Sequence, residues 1–161
     1  MMINGRRSLR AALVAVVVGI IVGCSIPAAY AYSDAHSATG SYGPYSGYKY
    51  NDRANIYTNT PQPSGTTVWG VEEIWTVPQY TVVPTGYMGV SPRVYTASGS
   101  LVASAGYAYN TASAYYFQNT CGYWAAPSGY YKSQGLTQVW DTGTNMYRTH
   151  WTQTTPNCLE S

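Results

Sequence analysis

Few residues in this chain could do chemistry, and they are scattered. Glu72 and Glu73 are adjacent in a stretch rich in Thr, Val and Trp. Neighbours on a strand point to opposite faces, so the two carboxylates do not form a working pair. Glu73 alternates with Trp69, Val71, Trp75 and Val77, which makes it a carboxylate on an aromatic face. Burial there would raise its pKa, as a general acid requires. The favoured expectation is plainer: a solvated face, or an ion pair with Arg93 or Arg148. His150 follows Arg148 by two residues, and Asp141 could approach it only loosely along one strand face. A Ser-His-Asp triad needs an oriented base and a positioned nucleophile. No G-x-S-x-G pattern marks that nucleophile. Glu73, Asp141 and His150 are therefore candidates for hydrolysis that no motif supports.

Metal and cofactor chemistry have less to stand on. His36, Cys121, His150 and Cys158 lack the spacing of a zinc site. There is no P-loop, dinucleotide fingerprint, EF-hand loop, H-E-x-x-H or N-glycosylation sequon. No cofactor and no metal are expected.

What the chain does hold is aromatic rings. It has 18 Tyr and 5 Trp among 161 residues. Sites for small molecules mix aromatic walls with a few polar groups, and sugar rings lie flat on Trp or Tyr. Tyr87, Tyr95, Tyr115, Tyr116, Tyr123, Trp124, Tyr130 and Tyr131 are the candidate platform for such a ligand. The partner expected is a cell-wall or extracellular glycan.

The N-terminus carries most of the basic charge. Arg6, Arg7 and Arg10 precede an apolar run that begins at Ala11, and Pro27 then breaks it. Ala29-Tyr30-Ala31 supplies the small-x-small pattern of a signal peptidase site. Residues 1–31 read as a secretory signal cleaved after Ala31. Two rivals stand beside it. Ile21-Val22-Gly23-Cys24 fits a lipobox with lipidation at Cys24, and the charge-free run from Ala11 to Ser33 is long enough for an uncleaved anchor.

Beyond Ala31 five cations, Lys49, Arg53, Arg93, Lys132 and Arg148, stand against six carboxylates. Cations so few and so dispersed do not suit a nucleic-acid backbone. Cys121 and Cys158 remain once Cys24 is removed, and export predicts that they form a disulfide.

The elements that must position these residues are strands. Residues 32–52 are a Ser/Gly/Tyr-rich stretch without period, expected as a flexible arm. A single β domain is expected over 53–161. Alternation predicts strands over 54–58, 67–77, 86–96, 101–109, 113–120, 130–140 and 146–153. About seven short strands imply an all-β antiparallel sandwich or barrel. A two-residue loop at Ser98-Gly99 would set Val94 opposite Ala103, Val90 opposite Tyr107 and Met88 opposite Tyr109, on the core face. In the second hairpin Leu136, Trp140, Tyr147 and Trp151 are expected buried. Val139, Asp141, Met146, Arg148 and His150 are expected half-exposed.

Gly86-Tyr-Met-Gly-Val-Ser-Pro-Arg-Val-Tyr95, Ser98-Gly-Ser-Leu-Val-Ala-Ser104 and Gly129-Tyr-Tyr-Lys-Ser-Gln-Gly135 resemble small secreted Tyr/Gly/Ser-rich proteins of Gram-positive bacteria, notably actinobacteria. The resemblance covers roughly residues 84–140. It implies an exported bacterial domain and transfers no functional residue. The leading expectation is a non-enzymatic exported domain that binds polysaccharide through aromatic rings. The alternatives are a secreted effector, such as a protease inhibitor or antibacterial protein, and a small hydrolase using Glu73 or Asp141 with His150.

Overall fold

Val68, Gly70, Glu72, Ile74 and Thr76 alternate with Trp69, Val71, Glu73 and Trp75, and the first set is buried. This period of two builds the central strand of the larger sheet. The computed structural model describes residues 31–60, 67–122, 124–127 and 129–160. All of the expected secretory signal but Ala31, with Cys24, and Tyr123 lie outside the described residues.

Fourteen strands and no helix are found among the described residues. In chain order they are β1 (Ala31–His36), β2 (Gly40–Tyr45), β3 (Tyr48–Thr60), β4 (Thr67–Val77), β5 (Met88–Ser91), β6 (Arg93–Thr96) and β7 (Leu101–Ser104). They continue with β8 (Ala108–Tyr109), β9 (Tyr116–Thr120), β10 (Trp124–Ala125), β11 (Gly129–Ser133), β12 (Leu136–Asp141), β13 (Met146–Trp151) and β14 (Cys158–Glu160). A six-stranded sheet is built on the β3–β4 pair, with β1 and β2 on β3 and with β9 and β10 on β4. Two four-stranded sheets run β14-β11-β6-β7 and β13-β12-β5-β8. Every pairing is antiparallel and no sheet closes into a barrel.

The all-β antiparallel expectation holds, but the strands are twice as many. Three of the expected strands are each broken and shared between the two smaller sheets, 101–109 among them as β7 and β8. Residues 86–96 divide at Pro92 into β5 and β6, because proline offers no N–H to a ladder. Residues 130–140 divide at Gln134-Gly135 into β11 and β12.

The inner face of the large sheet packs on both smaller sheets. Tyr50 and Ile74 meet Val83, Met88, Val90 and Val139 in one apolar cluster. Ile56 and Val68 meet Val94, Tyr131 and Cys158 in another.

The flexible arm is a correction. Residues 32–52 lie in β1, β2 and the start of β3, so the sheet begins before residue 53. Tyr42, Tyr45 and Tyr48 pack against the core around Tyr50. The Tyr42 hydroxyl lies 2.8 Å from Thr137 Oγ1. Tyrosine favours strands, and pairing with β3 satisfies the backbone that the Ser/Gly spacing left without a pattern.

The first hairpin keeps its expected pair Val94 with Ala103, but not the expected two-residue loop: Tyr95 stands opposite Leu101 and Thr96 bonds Ser100, so the loop is Ala97-Ser98-Gly99 and a register shift beyond it restores the pair. Beyond Pro92 the register is one residue away from expectation, with Gly89 opposite Tyr109 and Val90 opposite Ala108. A slip of one residue reverses faces. Met88 and Val90 therefore stay in the core while Tyr109 lies over Gly89 on the outer side.

The second hairpin pairs Leu136 with Trp151 and Trp140 with Tyr147, as an even loop requires. Its expected burial holds only in part, with Asp141 and His150 half-exposed as expected. Thr137 and Val139 are fully buried, whereas Tyr147 and Trp151 are exposed. Only Leu136 of the expected core set is buried. The partner layer meets the Thr137 side of β12, and hairpin pattern alone does not say which side that is.

Cys121 and Cys158 are free thiols, so the expected disulfide is absent. Cys121 follows β9 at one edge of the large sheet, where its sulfur accepts the Gly70 amide at 3.1 Å. Cys158 is on β14, 3.0 Å from Ser33 Oγ on β1. Each thiol is engaged on a different strand. Burial pushes the Cys121 thiol up, away from the reactive thiolate, and the Gly70 amide offsets this in part.

Candidate functional site

The outer face of the large sheet collects the residues that β3, β4 and β9 turn away from the core. Register sets Arg53, Glu73 and Gln118 in one row across three strands. Asn51, Trp75 and Tyr116 form the next row, and Tyr57 stands beside Trp69 two rows away on the other side.

Glu73 is the centre of this face. Arg53 donates to its Oε1 from Nε at 3.1 Å and from Nη2 at 2.8 Å. Asn55 Nδ2 donates to the same oxygen. The Tyr116 hydroxyl lies 2.9 Å from Oε2 and 2.6 Å from Gln118 Oε1. Burial, and then the charge of Glu73, push the Tyr116 hydroxyl well above the usual phenol range. It therefore stays a protonated donor at neutral pH.

Aromatic rings flank this cluster. The Arg53 guanidinium sits 5.9 Å from the centre of the Trp75 ring. Tyr57 and Trp69 are stacked, 5.4 Å apart and 17° from parallel. Trp69 and Trp75 are six residues apart on one strand face, a span of about 20 Å at the usual strand rise. Two shallow grooves lie along the face. One, of about 290 Å³, is lined by Arg53, Glu73, Trp75, Gln79 and Tyr116. The other, of about 310 Å³, is lined by Trp69, Val71, Gln118, Asn119 and Thr120.

His36 extends the polar row. Its Nδ1 lies 2.6 Å from Asn55 Oδ1 and its Nε2 lies 2.9 Å from Asp34 Oδ2. The arrangement can grip a polyhydroxylated chain. Rings stack on C–H faces, while amide, guanidinium and hydroxyl groups take the sugar hydroxyls.

The expected platform is not one surface. Tyr116 is on this face, and Tyr115 points elsewhere, against Tyr80. Tyr87 packs edge-on to Tyr48 near the core. Trp124 meets Tyr131 edge-on, and Tyr131 is buried. Tyr95 and Tyr130 belong to the outer face of the β14-β11-β6-β7 sheet. Adjacent aromatics on a strand must diverge, which divides 115 from 116 and 130 from 131. Sequence reasoning missed Tyr57, Arg53 and Asn55. The shared face of Trp69, Glu73 and Trp75 was the signal that could have found this site.

Glu73 finds an arginine, but it is Arg53 rather than Arg93 or Arg148. Asp141 accepts Arg148 Nε at 3.0 Å and also bonds Gly143 and Thr144 of its own turn. Those hydrogen bonds hold its carboxyl below the usual range. His150 is bonded instead to Asp52, Nδ1 to Oδ2 at 2.8 Å. The Asp141–His150 pairing is therefore corrected to Asp52–His150.

That pair belongs to a buried polar seam between the two apolar clusters. Thr137 donates to Asp52 Oδ2 at 2.8 Å, and the Tyr42 ring stacks on His150 at 4.3 Å. Asp52 is fully buried, and burial raises its pKa against the opposing pull of His150 and Thr137. Glu72 is also fully buried, and neither of its oxygens completes a hydrogen bond among the described residues. Burial pushes it well above the usual carboxylate range, and only the nearby Thr152 hydroxyl and Gly135 amide moderate this. Gly135 and Gly40 make room for the two carboxylates, since a Cβ at either would collide with Glu72 or Asp52.

No family model, no curated protein and no solved structure matches the chain.

Proposed function

We propose that this chain is an exported, non-enzymatic β-domain that binds a cell-wall or environmental polysaccharide through the outer face of its large sheet. One observation carries the reading. Two aromatic stations, Tyr57 with Trp69 and Trp75 with Tyr116, flank the Arg53–Glu73–Asn55 cluster on a single sheet face. Rings alone would suit any apolar ligand. Rings separated by bonded polar groups suit a polymer of hydroxylated rings. The span between the tryptophans favours an oligomer over a single sugar.

The export half of the proposal rests on the N-terminal signal, with cleavage after Ala31 or lipid attachment at Cys24. The resemblance to small secreted Gram-positive proteins agrees with it.

The test is tryptophan fluorescence during titration with neutral soluble oligosaccharides, beside pull-down on insoluble glycan and cell walls. Binding that falls about tenfold or more in Trp69→Ala and Trp75→Ala, with unchanged circular dichroism, supports the proposal. Failure to bind any of a broad glycan panel would defeat it.

A second reading is a secreted hydrolase built on His150, favoured by the carboxylate of Asp52 that orients its imidazole. Turnover of a substrate that disappears in His150→Ala would establish that reading instead.

A further inference from the structure

We infer that the outer face of the β14-β11-β6-β7 sheet is a second binding site, specific for a carboxylate-bearing sugar polymer such as a uronate chain. It is separate from the face proposed above and does not depend on it. Its groove, about 420 Å³, is lined by Tyr95, Gly99, Lys132, Gln134, Trp151 and Thr154.

The pleat places the groups. Lys132 is directly opposite Tyr95 on neighbouring strands, so the two share the outward face. Arg93 lies two residues before Tyr95 on β6 and therefore faces the same way. Its guanidinium lies 5.2 Å from the centre of the Trp151 ring. Trp151 is about half exposed and forms one apolar wall, with Tyr95 as another.

Charge distinguishes this groove from the large sheet. There, Arg53 is neutralised by Glu73. Here, neither Arg93 nor Lys132 makes an ion pair with a carboxylate whose side chain is described. Lys132 Nζ makes a long bond, 3.4 Å, to the Ala97 carbonyl. Glu160 stands on β14 of this sheet, opposite Gly129, and the carboxylates whose side chains are described lie elsewhere. Asp52 and Glu72 are buried, Glu73 and Asp34 are on the large sheet, and Asp141 is held by Arg148.

Two cations without a described counter-charge beside an exposed ring suit an anion attached to a flat, partly apolar body. A guanidinium fork matches a planar carboxylate in two parallel hydrogen bonds. Gln134 and Thr154 line the same groove and offer polar groups for the neutral hydroxyls. The groove has the volume of a small-molecule site, which a flat contact with a lipid surface would not need.

The experiment is titration of the purified protein with an oligogalacturonate at low salt, read by tryptophan fluorescence and calorimetry. A neutral oligogalactan of equal length and inorganic polyphosphate are the controls. Binding of the uronate alone is expected, weakened severalfold or more by 0.5 M salt as an exposed ionic contact should be. Lys132→Gln and Arg93→Gln should each cost about tenfold or more, with unchanged circular dichroism. Trp69→Ala and Trp75→Ala should leave this binding intact. Absence of uronate binding would overturn the inference, as would equal binding of polyphosphate, or binding that survives both charge variants. Loss of uronate binding in Trp69→Ala would show one site rather than two.

Discussion

His150 Nδ1 lies 2.8 Å from Asp52 Oδ2, and this bond joins β13 of one layer to β3 of the other across the interior. Asp52 is fully buried, while the imidazole is about one-third exposed. The two residues are 98 positions apart in the chain. Their contact therefore reports on the docking of the layers.

Replacing His150 should loosen that docking. His150→Ala leaves Asp52 Oδ2 with the Thr137 hydroxyl alone and removes the ring under Tyr42. The expected loss is about 1–3 kcal/mol, towards the lower end because solvent reaches the imidazole. Urea unfolding should show a lower midpoint with an unchanged slope.

Glu72 should make the protein more stable in mild acid. Its folded pKa is raised by burial above the ordinary 4.5. The stability linked to this group is thus fully present below about 4.5 and is lost as pH rises through the higher folded value. Glu72→Gln keeps the shape without the charge. It should be more stable than the parent at pH 7, and the advantage should vanish near pH 4. Unfolding midpoints of both proteins across that range check the sign; an advantage that grows in acid would contradict it.

Cys121 and Cys158 should titrate as two thiols in denaturant without reductant, when Cys24 has been removed with the signal. In the folded protein Cys158, which is 2% exposed, should react with a thiol reagent much more slowly than after unfolding. Mass spectrometry after alkylation distinguishes two labels from the none that a disulfide would leave.

Residues 31–52 should be indispensable to the fold. A chain that begins at Arg53 lacks β1, β2 and the core ring of Tyr50, and it also loses Asp52. It should show no cooperative melt by circular dichroism, whereas a flexible leader could be removed without effect.

Some of this was legible in the chain. A period of two follows from backbone geometry alone, so the shared face of Trp69, Glu73 and Trp75 could be read directly. So could the pair Leu136 with Trp151, since an even loop imposes local register, whereas Val94 meets Ala103 only because a register shift follows a turn of unexpected length. Other features depended on strands far apart in sequence. Arg53 reaches Glu73 because β3 pairs with β4, and Asp52 reaches His150 because two layers meet. The break at Pro92 sends β5 and β6 into different sheets, and this decides which aromatics share a groove.

The sequence by itself determined an all-β chain with alternate side chains on opposite faces. Only the tertiary structure decided which face became core, which carboxylates were buried and which charges were paired. The reason is physical: alternation is set within a strand, whereas burial and charge pairing are set by whichever distant strand lies across from it.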